Sequence, residues 1–159
     1  MDRITTKGGT VTVARAGPED VPDIVALLRD DEIGAGREDA DHSTYESAFA
    51  RIDADGNQFL AIARAEDGSA VGTLQLSFVP GLTRGGATRL LIEGVRVHSA
   101  MRGTGLGSAL FAWAHEQGRA RGASLAQLTT DKRRDEAHRF YERLGYEATH
   151  EGFKLELGG

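Results

Sequence analysis

The chain has 159 residues, 40% of them hydrophobic and 27% charged, which suits one globular domain with its own core. It contains no cysteine, and this excludes disulfide bonds, thiolate metal sites and a cysteine nucleophile. The formal net charge of −5 argues against non-specific binding to nucleic acid. No apolar run is long enough to span a bilayer, and no apolar signal core follows the N-terminus. We therefore expect a single domain over residues 1–159, a cytoplasmic location, and neither a nucleic-acid nor a membrane partner.

Hydrophobic periodicity and turn residues predict the elements of the first half. A short strand is predicted at 11–15, followed by a helix that begins at Pro18 and is broken by Gly34-Ala35-Gly36. A second helix is predicted at about 43–52. Two alternating segments, 59–65 and 71–79, flank the turn Glu66-Asp67-Gly68-Ser69 and predict a β-hairpin.

The second half alternates strands with helices after a glycine-rich loop at 80–86. Its predicted elements are a strand at 90–97, an amphipathic helix at about 105–121 closed by Gly122, a strand at 125–130, a short helix ended by Gly145, and a last pair of strands at 146–150 and 153–157. The order of elements indicates an α/β (α+β type) fold. We expect a mixed, mostly antiparallel sheet of about seven strands flanked by about four helices.

The most informative segment joins the strand at 90–97 to the helix at 105–121. It reads R-G-T-G-L-G-S over residues 102–108, so three glycines fall within five positions. A helix N-terminus presents unpaired backbone N–H groups and a partial positive charge, which suit a phosphate group. Glycines let that backbone approach an anion closely, and Arg102 adds a permanent cation. The segment therefore predicts an anion site, although a purely structural glycine turn stays open.

Two familiar phosphate-binding turns do not fit this segment. A dinucleotide-binding turn needs G-x-G-x-x-G, and here Ser108 stands where the third glycine would be. An ATP-type loop needs G-K-[ST], which is missing. A pyrophosphate site of another kind is the interpretation that the residues favour.

Residues 102–107 resemble the R/Q-x-x-G-x-G/A signature of the GNAT superfamily of acyl-CoA-dependent N-acetyltransferases. The strand I-E-G-V-R-V at 92–97 and the segment A-H-R-F-Y-E-R-L-G-Y at 137–146 are similar to that family's patterns as well. The resemblance implies a transferase that uses acetyl-CoA as co-substrate and moves the acetyl group directly to a primary amine in a ternary complex. It also makes a homodimer plausible. The five histidines show no metal-ligand spacing, so we expect no metal.

The resemblance further implies which residues bind the co-substrate. Main-chain N–H groups around 102–107 would hold the CoA pyrophosphate, and the backbone of Val95 and Val97 would pair with the pantetheine arm. The full set of candidate co-substrate residues is Val95, Arg96, Val97, Arg102, Gly103, Thr104, Gly105, Leu106, Gly107 and Ser108. The chain departs from the family at Arg134, where many members carry a cofactor-binding asparagine, so that contact is in doubt.

Two residues are candidates for the proton transfers. Glu93 is the candidate base, because simple alternation places it on one face with Leu91, Val95 and Val97, and burial there would raise its pKa. A solvated strand residue or a structural ion pair is the alternative, and a bulge in the strand would shift the alternation. Tyr141 is the candidate acid, since the family tyrosine in this motif assists the leaving CoA sulfur; a core tyrosine is the alternative.

The sequence does not identify the acceptor amine. The acidic stretch at 37–42 could attract a cationic amine, and the loop at 80–86 could cover the site or meet a partner subunit, but both are also typical of solvated connections. The alternative function is a non-catalytic acyl-CoA-binding or regulatory module. A DNA-binding regulator is disfavoured by the acidic charge.

Overall fold

The computed structural model describes residues 1–38 and 40–158. These residues form two compact units, one spanning Met1–Gln127 and one that begins at Leu128. Because the chain divides in this way, the single domain expected over residues 1–159 stays a prediction.

The first unit contains a six-stranded sheet whose strands follow one another in chain order. The strands are β1 (Asp2–Thr6), β2 (Gly9–Arg15), β3 (Gln58–Ala65), β4 (Ala70–Pro80), β5 (Thr88–Val97) and β6 (Ala123–Gln127). All neighbours are antiparallel except β5 and β6, which are parallel. The helices of the described chain are α1 (Val21–Arg29), α2 (Glu32–Ala35), α3 (His42–Ala54), α4 (Thr83–Gly86), α5 (Leu106–Ala120) and α6 (Asp135–Arg143). The predicted mixed, mostly antiparallel fold is confirmed.

Helices cover the sheet on both faces. On one face, Ile62 of β3 packs with α1 and α3 in a buried cluster that includes Ile24 and Phe49. On the other face lies α5, where the Trp113 ring meets Phe59 of β3 edge-on at a centroid distance of 5.7 Å. We call these the α1 face and the α5 face. Since neighbouring residues of a strand point to opposite faces, the register assigns every strand residue to one of the two.

The first helix is shorter than predicted. It ends at Arg29 rather than at Gly34, and a new helical turn begins at once, because the Asp31 carboxylate accepts the Gly34 backbone N–H at 2.9 Å. Gly34 is also tightly packed there, since a Cβ on it would lie 2.1 Å from the Leu28 carbonyl oxygen. A strand that the sequence analysis did not predict, β1, adds an edge to the sheet through its hairpin with β2.

The second unit contains α6 and an extended tail. The predicted strands at 146–150 and 153–157 are wrong, because residues 147–158 adopt no strand or helix. Phe153, Leu155 and Leu157 alternate as in a strand, yet each is more than 80% exposed. Alternation describes only which side chains share a face, whereas a strand also needs a neighbouring backbone to bond with. No such neighbour pairs with the tail among the described residues.

Candidate active site

The glycine-rich segment forms a turn that leads directly into α5. Gly103 and Gly105 have φ angles of 77° and 85°, the left-handed conformation that L side chains rarely adopt. A Cβ on either glycine would meet no atom within 4 Å, so the backbone conformation and not crowding demands glycine. The first α-helical bond recorded at this end runs from Ala109 N–H to the Gly105 carbonyl at 3.1 Å. The N–H groups of residues 105–108 therefore lie in the first turn, where intrahelical acceptors are lacking.

Two distant segments hold this turn in place. From the β1–β2 hairpin, the Lys7 N–H donates to the Thr104 carbonyl at 3.2 Å, and Gly8 lies so close that a Cβ on it would be 2.8 Å from Thr104 Cγ2. From the end of α1, the Asp30 carboxylate accepts the Ser99 N–H at 3.1 Å, and its carbonyl accepts Arg102 Nη2 at 3.3 Å. The Arg102 guanidinium, expected beside the turn, thus reaches the C-terminal end of α1.

A β-bulge interrupts β5 just before the turn. Thr73 pairs with Arg96 and Gln75 pairs with Glu93, so two residues of β5, Gly94 and Val95, oppose the single residue Leu74 of β4. Gly94 has a φ of 59°, and a Cβ on it would meet nothing within 4 Å. The extra residue reverses the alternation of every residue beyond it.

Beyond the bulge, one edge of β5 faces away from the sheet. The parallel pairing of β5 with β6 ends at Leu91 and Gln127, and residues 92–97 pair only with β4 among the described strands. The His98 N–H donates to the Val71 carbonyl of β4 at 2.9 Å. Because backbone groups alternate along a strand, the backbone N–H of Arg96 also points toward β4, whereas the N–H of Val97 points to the opposite, open edge. This edge leads into the turn at 102–108.

The bulge changes the surroundings expected for Glu93. Its register partner Gln75 lies opposite Leu60 on the α1 face, so Glu93 shares that face with Leu91 and Arg96. The predicted common face with Val95 and Val97 is therefore wrong. Glu93 is also exposed, so the apolar burial expected for it is absent.

Arg96 points to the start of α2 rather than to the open edge of β5. Its Nη2 lies 3.5 Å from the Asp31 carboxylate, and its Nη1 donates to the carbonyl of Val95 at 2.8 Å. Both ion-pair side chains are less than 20% exposed. The pair ties the α1–α2 connection to the strand that carries Glu93. Nothing in the local sequence pattern indicated this tie, because its two residues are 65 positions apart in the chain.

Tyr141 lies in the second unit, on α6. The helix ends in a Schellman motif, in which the Gly145 N–H donates to the Glu142 carbonyl and the Tyr146 N–H donates to the Tyr141 carbonyl, both at 3.0 Å. The motif brings the rings of Tyr141 and Tyr146 to a centroid distance of 6.1 Å. Burial, and next the charge of Tyr141, raise the pKa of Tyr146 to about 12, so its hydroxyl stays protonated at neutral pH. The L-G-Y sequence thus fixes the end of the helix on which the candidate acid lies.

Acidic residues of the stretch at 37–42 make hydrogen bonds within the fold. The Asp41 carboxylate caps α3 by accepting the Thr44 N–H at 3.0 Å, and hydrogen bonds from the Ser43 hydroxyl and then this N–H lower the pKa of Asp41. Glu38 accepts a hydrogen bond from the Tyr45 hydroxyl at 2.9 Å. Asp39 lies outside the described residues.

A family model described as the acetyltransferase (GNAT) family matches residues 21–146 of the chain. The chain belongs to this family. The enzymes of the GNAT family are acetyltransferases that use acetyl-CoA as co-substrate and an amine as acceptor.

Individual relatives agree with this assignment. The chain is 46% identical over 66 residues to an aminoalkylphosphonate N-acetyltransferase from Salmonella typhimurium, covering 42% of this chain and 43% of that enzyme. It is 36% identical over 90 residues to a glucosamine 6-phosphate N-acetyltransferase from Trypanosoma brucei brucei, covering 57% and 59% of the two chains. Both matches span less than two thirds of the relative's length.

A solved structure extends the similarity along the chain. A protein from Bacillus halodurans C-125, described as a transcriptional regulator, is 45% identical to this GNAT chain, with a TM-score of 0.88. The comparison covers 92% of this chain and 99% of that one. Among the described helices, none is both long and apolar enough to cross a membrane.

Proposed function

We propose that this GNAT enzyme transfers the acetyl group of acetyl-CoA directly to the primary amine of a small acceptor that carries a phosphonate or phosphate group. One observation supports a site for this reaction at particular residues: the open edge of β5 leads directly to the N-terminus of α5. We call this continuous stretch the path. We also propose a cytoplasmic location and a homodimer, and the latter is tested by the oligomeric state in solution.

In this proposal the co-substrate lies along that path. Backbone N–H groups of residues 105–108 bind the pyrophosphate, since the left-handed glycine turn at 102–105 leads into a helix N-terminus where these groups lack intrahelical acceptors. The open-edge backbone of Val95 and Val97 pairs with the pantetheine arm as an added strand would. One of these N–H groups then polarises the thioester carbonyl, so that it stabilises the oxygen on which negative charge develops.

Two residues of the chain take part in the proton transfers of the reaction. Glu93 accepts a proton from the ammonium group, directly or through water, because a protonated amine has no lone pair with which to attack. The amine nitrogen bonds to the carbonyl carbon, loses its second proton to water, and the carbon–sulfur bond breaks; the products are an amide and the CoA thiol, and the proton released from nitrogen replaces the one that Tyr141 gives to sulfur. Tyr141 supplies the proton to the departing sulfur, a role that rests on the family motif it matches.

The acceptor class follows from the two named relatives. One acts on aminoalkylphosphonates and the other on glucosamine 6-phosphate, so both acceptors combine an amine with a phosphorus oxyanion. The acidic residues once considered for a cationic acceptor, Glu38 and Asp41, are engaged within the fold.

An acceptor screen that follows thiol release from acetyl-CoA tests the proposal. The panel contains aminoalkylphosphonates, amino sugar phosphates, polyamines, aminoglycosides, amino acids and peptide amines. We expect turnover with the first two classes above the rest. Turnover confined to polyamines or peptide amines would overturn the acceptor class, and no turnover with any amine would overturn the catalytic proposal.

A matched pair of glycine variants tests the co-substrate site. Gly105→Ala and Gly68→Ala place the same side chain at φ angles of 85° and 87°, both in open space, but Gly68 lies in the distant β3–β4 turn. We expect equal losses of stability and a rise in the KM for acetyl-CoA with Gly105→Ala alone. An equal KM in both variants would contradict the pyrophosphate site.

A second candidate function is regulatory. It is favoured by one observation, the description of the 45% identical Bacillus halodurans protein as a transcriptional regulator. In that case the glycine turn would bind acyl-CoA as a signal. Tight binding of CoA without thiol release, together with a gel shift of genomic DNA fragments that acetyl-CoA alters, would favour this function over acetyl transfer.

A further inference from the structure

The α1 face of the sheet carries a group of polar side chains from four neighbouring strands. We call it the polar face, and its members are Gln58 on β3, Gln75 and Ser77 on β4, Arg89 and Glu93 on β5, and Gln127 on β6. The Gln58 side-chain oxygen accepts hydrogen bonds from Gln75 at 2.9 Å and from Ser77 at 2.8 Å. The Arg89 Nη1 donates to the Gln127 side-chain oxygen at 3.2 Å.

Arg89 is half-buried and has a neutral partner. Within residues 1–38 and 40–158, its guanidinium bonds to the Gln127 amide and to no carboxylate. A guanidinium has five N–H donors, and one accepting amide oxygen uses a small part of that capacity. A planar array of remaining donors on a sheet face suits an oxyanion with two or three oxygens.

The strand register shows which way this guanidinium leans. On the parallel strand β6, Gln127 is level with Leu91, whereas Arg89 is level with Leu125. By reaching Gln127, the Arg89 side chain extends along β5 toward Glu93, which lies on the same face. This hydrogen bond lies level with Leu91, and Glu93 is two residues, or about 7 Å, further along the strand.

A cation and a carboxylate at this spacing match a small acceptor with opposite charges at its ends. We infer that Arg89, held in position by Gln127, binds the phosphonate or phosphate oxygens of the acceptor while Glu93 receives its amine. The inference rests on the proposed function and adds to it the residue that selects an acidic acceptor. In this arrangement Gln127 is a positioning residue, since it acts through the guanidinium.

The kinetic test compares two acceptors of equal length, 2-aminoethylphosphonate and an uncharged amine such as 3-aminopropanol. Hydrogen bonds to a charged group are strong, so Arg89→Gln should lower kcat/KM for the phosphonate about 10–100-fold and leave the uncharged amine within about twofold. Arg89→Lys should lie between the two, because it keeps the charge and loses the planar donors. Gln127→Leu should raise KM for the phosphonate with kcat little changed.

The matched control is Arg3→Gln. It removes the same charge from β1, at the opposite edge of the sheet, where Arg3 is 73% exposed. We expect this variant to keep the wild-type preference between the two acceptors. The inference is wrong if Arg89→Gln and Arg3→Gln show the same preference between the acceptors. It is also wrong if Arg89→Gln lowers kcat/KM equally for both acceptors.

A binding measurement separates this inference from the proposed function. Methylphosphonate has no amine and cannot be acetylated, and saturating CoA occupies the turn at 102–108 beforehand. Under these conditions methylphosphonate should raise the melting temperature of wild type and of Arg3→Gln, but not of Arg89→Gln. Absence of this shift in wild type overturns the Arg89 site even where phosphonates are acetylated; a shift lost only in Arg89→Gln supports the site even if another amine class is the better acceptor.

Discussion

The bulge in β5 depends on one backbone angle, and Gly94→Ala tests that dependence. An L-residue in the left-handed region costs about 1–2 kcal/mol relative to the right-handed region. Alanine also restricts the unfolded chain, and this offsets about 0.4–1 kcal/mol of the cost. Because a Cβ at Gly94 meets no atom within 4 Å, no steric cost is added, and the free energy of unfolding should fall by about 1 kcal/mol.

Urea denaturation of both this variant and Gly56→Ala measures the effect. A Cβ at Gly56 also meets nothing within 4 Å, but its φ lies outside the left-handed region, so the substitution should be neutral or slightly stabilising. The difference between the two variants therefore isolates the angle. Equal stabilities would refute the reasoning. A larger loss, accompanied by a raised KM for acetyl-CoA, would mean that the strand loses its extra residue and that the open edge changes register.

Three further predictions concern the site and the core. Glu93→Gln should lower kcat about 10²–10⁴-fold with little change in the KM for acetyl-CoA, and an unchanged kcat in steady-state assays would show that another group accepts the proton. Gly118→Ala should destabilise the protein by about 1–3 kcal/mol, since the new Cβ would lie 2.8 Å from Leu90 Cδ2 in the core. In thermal unfolding the same substitution should cost less stability in a Leu90→Val background. Equal losses in the two backgrounds would refute the contact. Burial, and next the charge of Arg119, lower the pKa of His115, so the unfolded chain takes up this proton more readily. Stability should therefore decline as the pH falls through about 6.5, and His115→Asn should flatten this part of the denaturation profile.

Local signals predicted the elements that local physics determines. The hairpin of β3 and β4 and the helix α5 with the glycine-rich turn before it each follow from residues adjacent in the chain. So does the end of α6, where Gly145 and Tyr146 complete the Schellman motif. The strands predicted in the tail were wrong for the same reason. The alternation of the tail is a local signal, whereas a strand depends on a neighbouring strand that the pattern does not specify.

The site could be predicted only in part. The turn at 102–108 is one continuous segment, and its motif was visible in the sequence. The face of the sheet on which Glu93 lies was not visible in the sequence. One extra residue in the bulge at Gly94 and Val95 reverses the alternation on which the prediction depended. The ties of Asp30 to Ser99 and of Asp31 to Arg96 join residues more than 60 positions apart, and no spacing rule within either segment reports them.

The separation of β5 from β6 is what connects these features to acetyl transfer. A strand paired on both sides has no N–H or C=O groups left for a ligand, so β5 can bind an extended substrate only where β6 leaves it. That point is Leu91, two residues before Glu93 and level with Gln127. The candidate base, the guanidinium partner of Gln127 and the beginning of the open edge therefore all lie within one short stretch of β5. An acceptor held on the α1 face there would place its amine beside the same edge along which the thioester is proposed to lie.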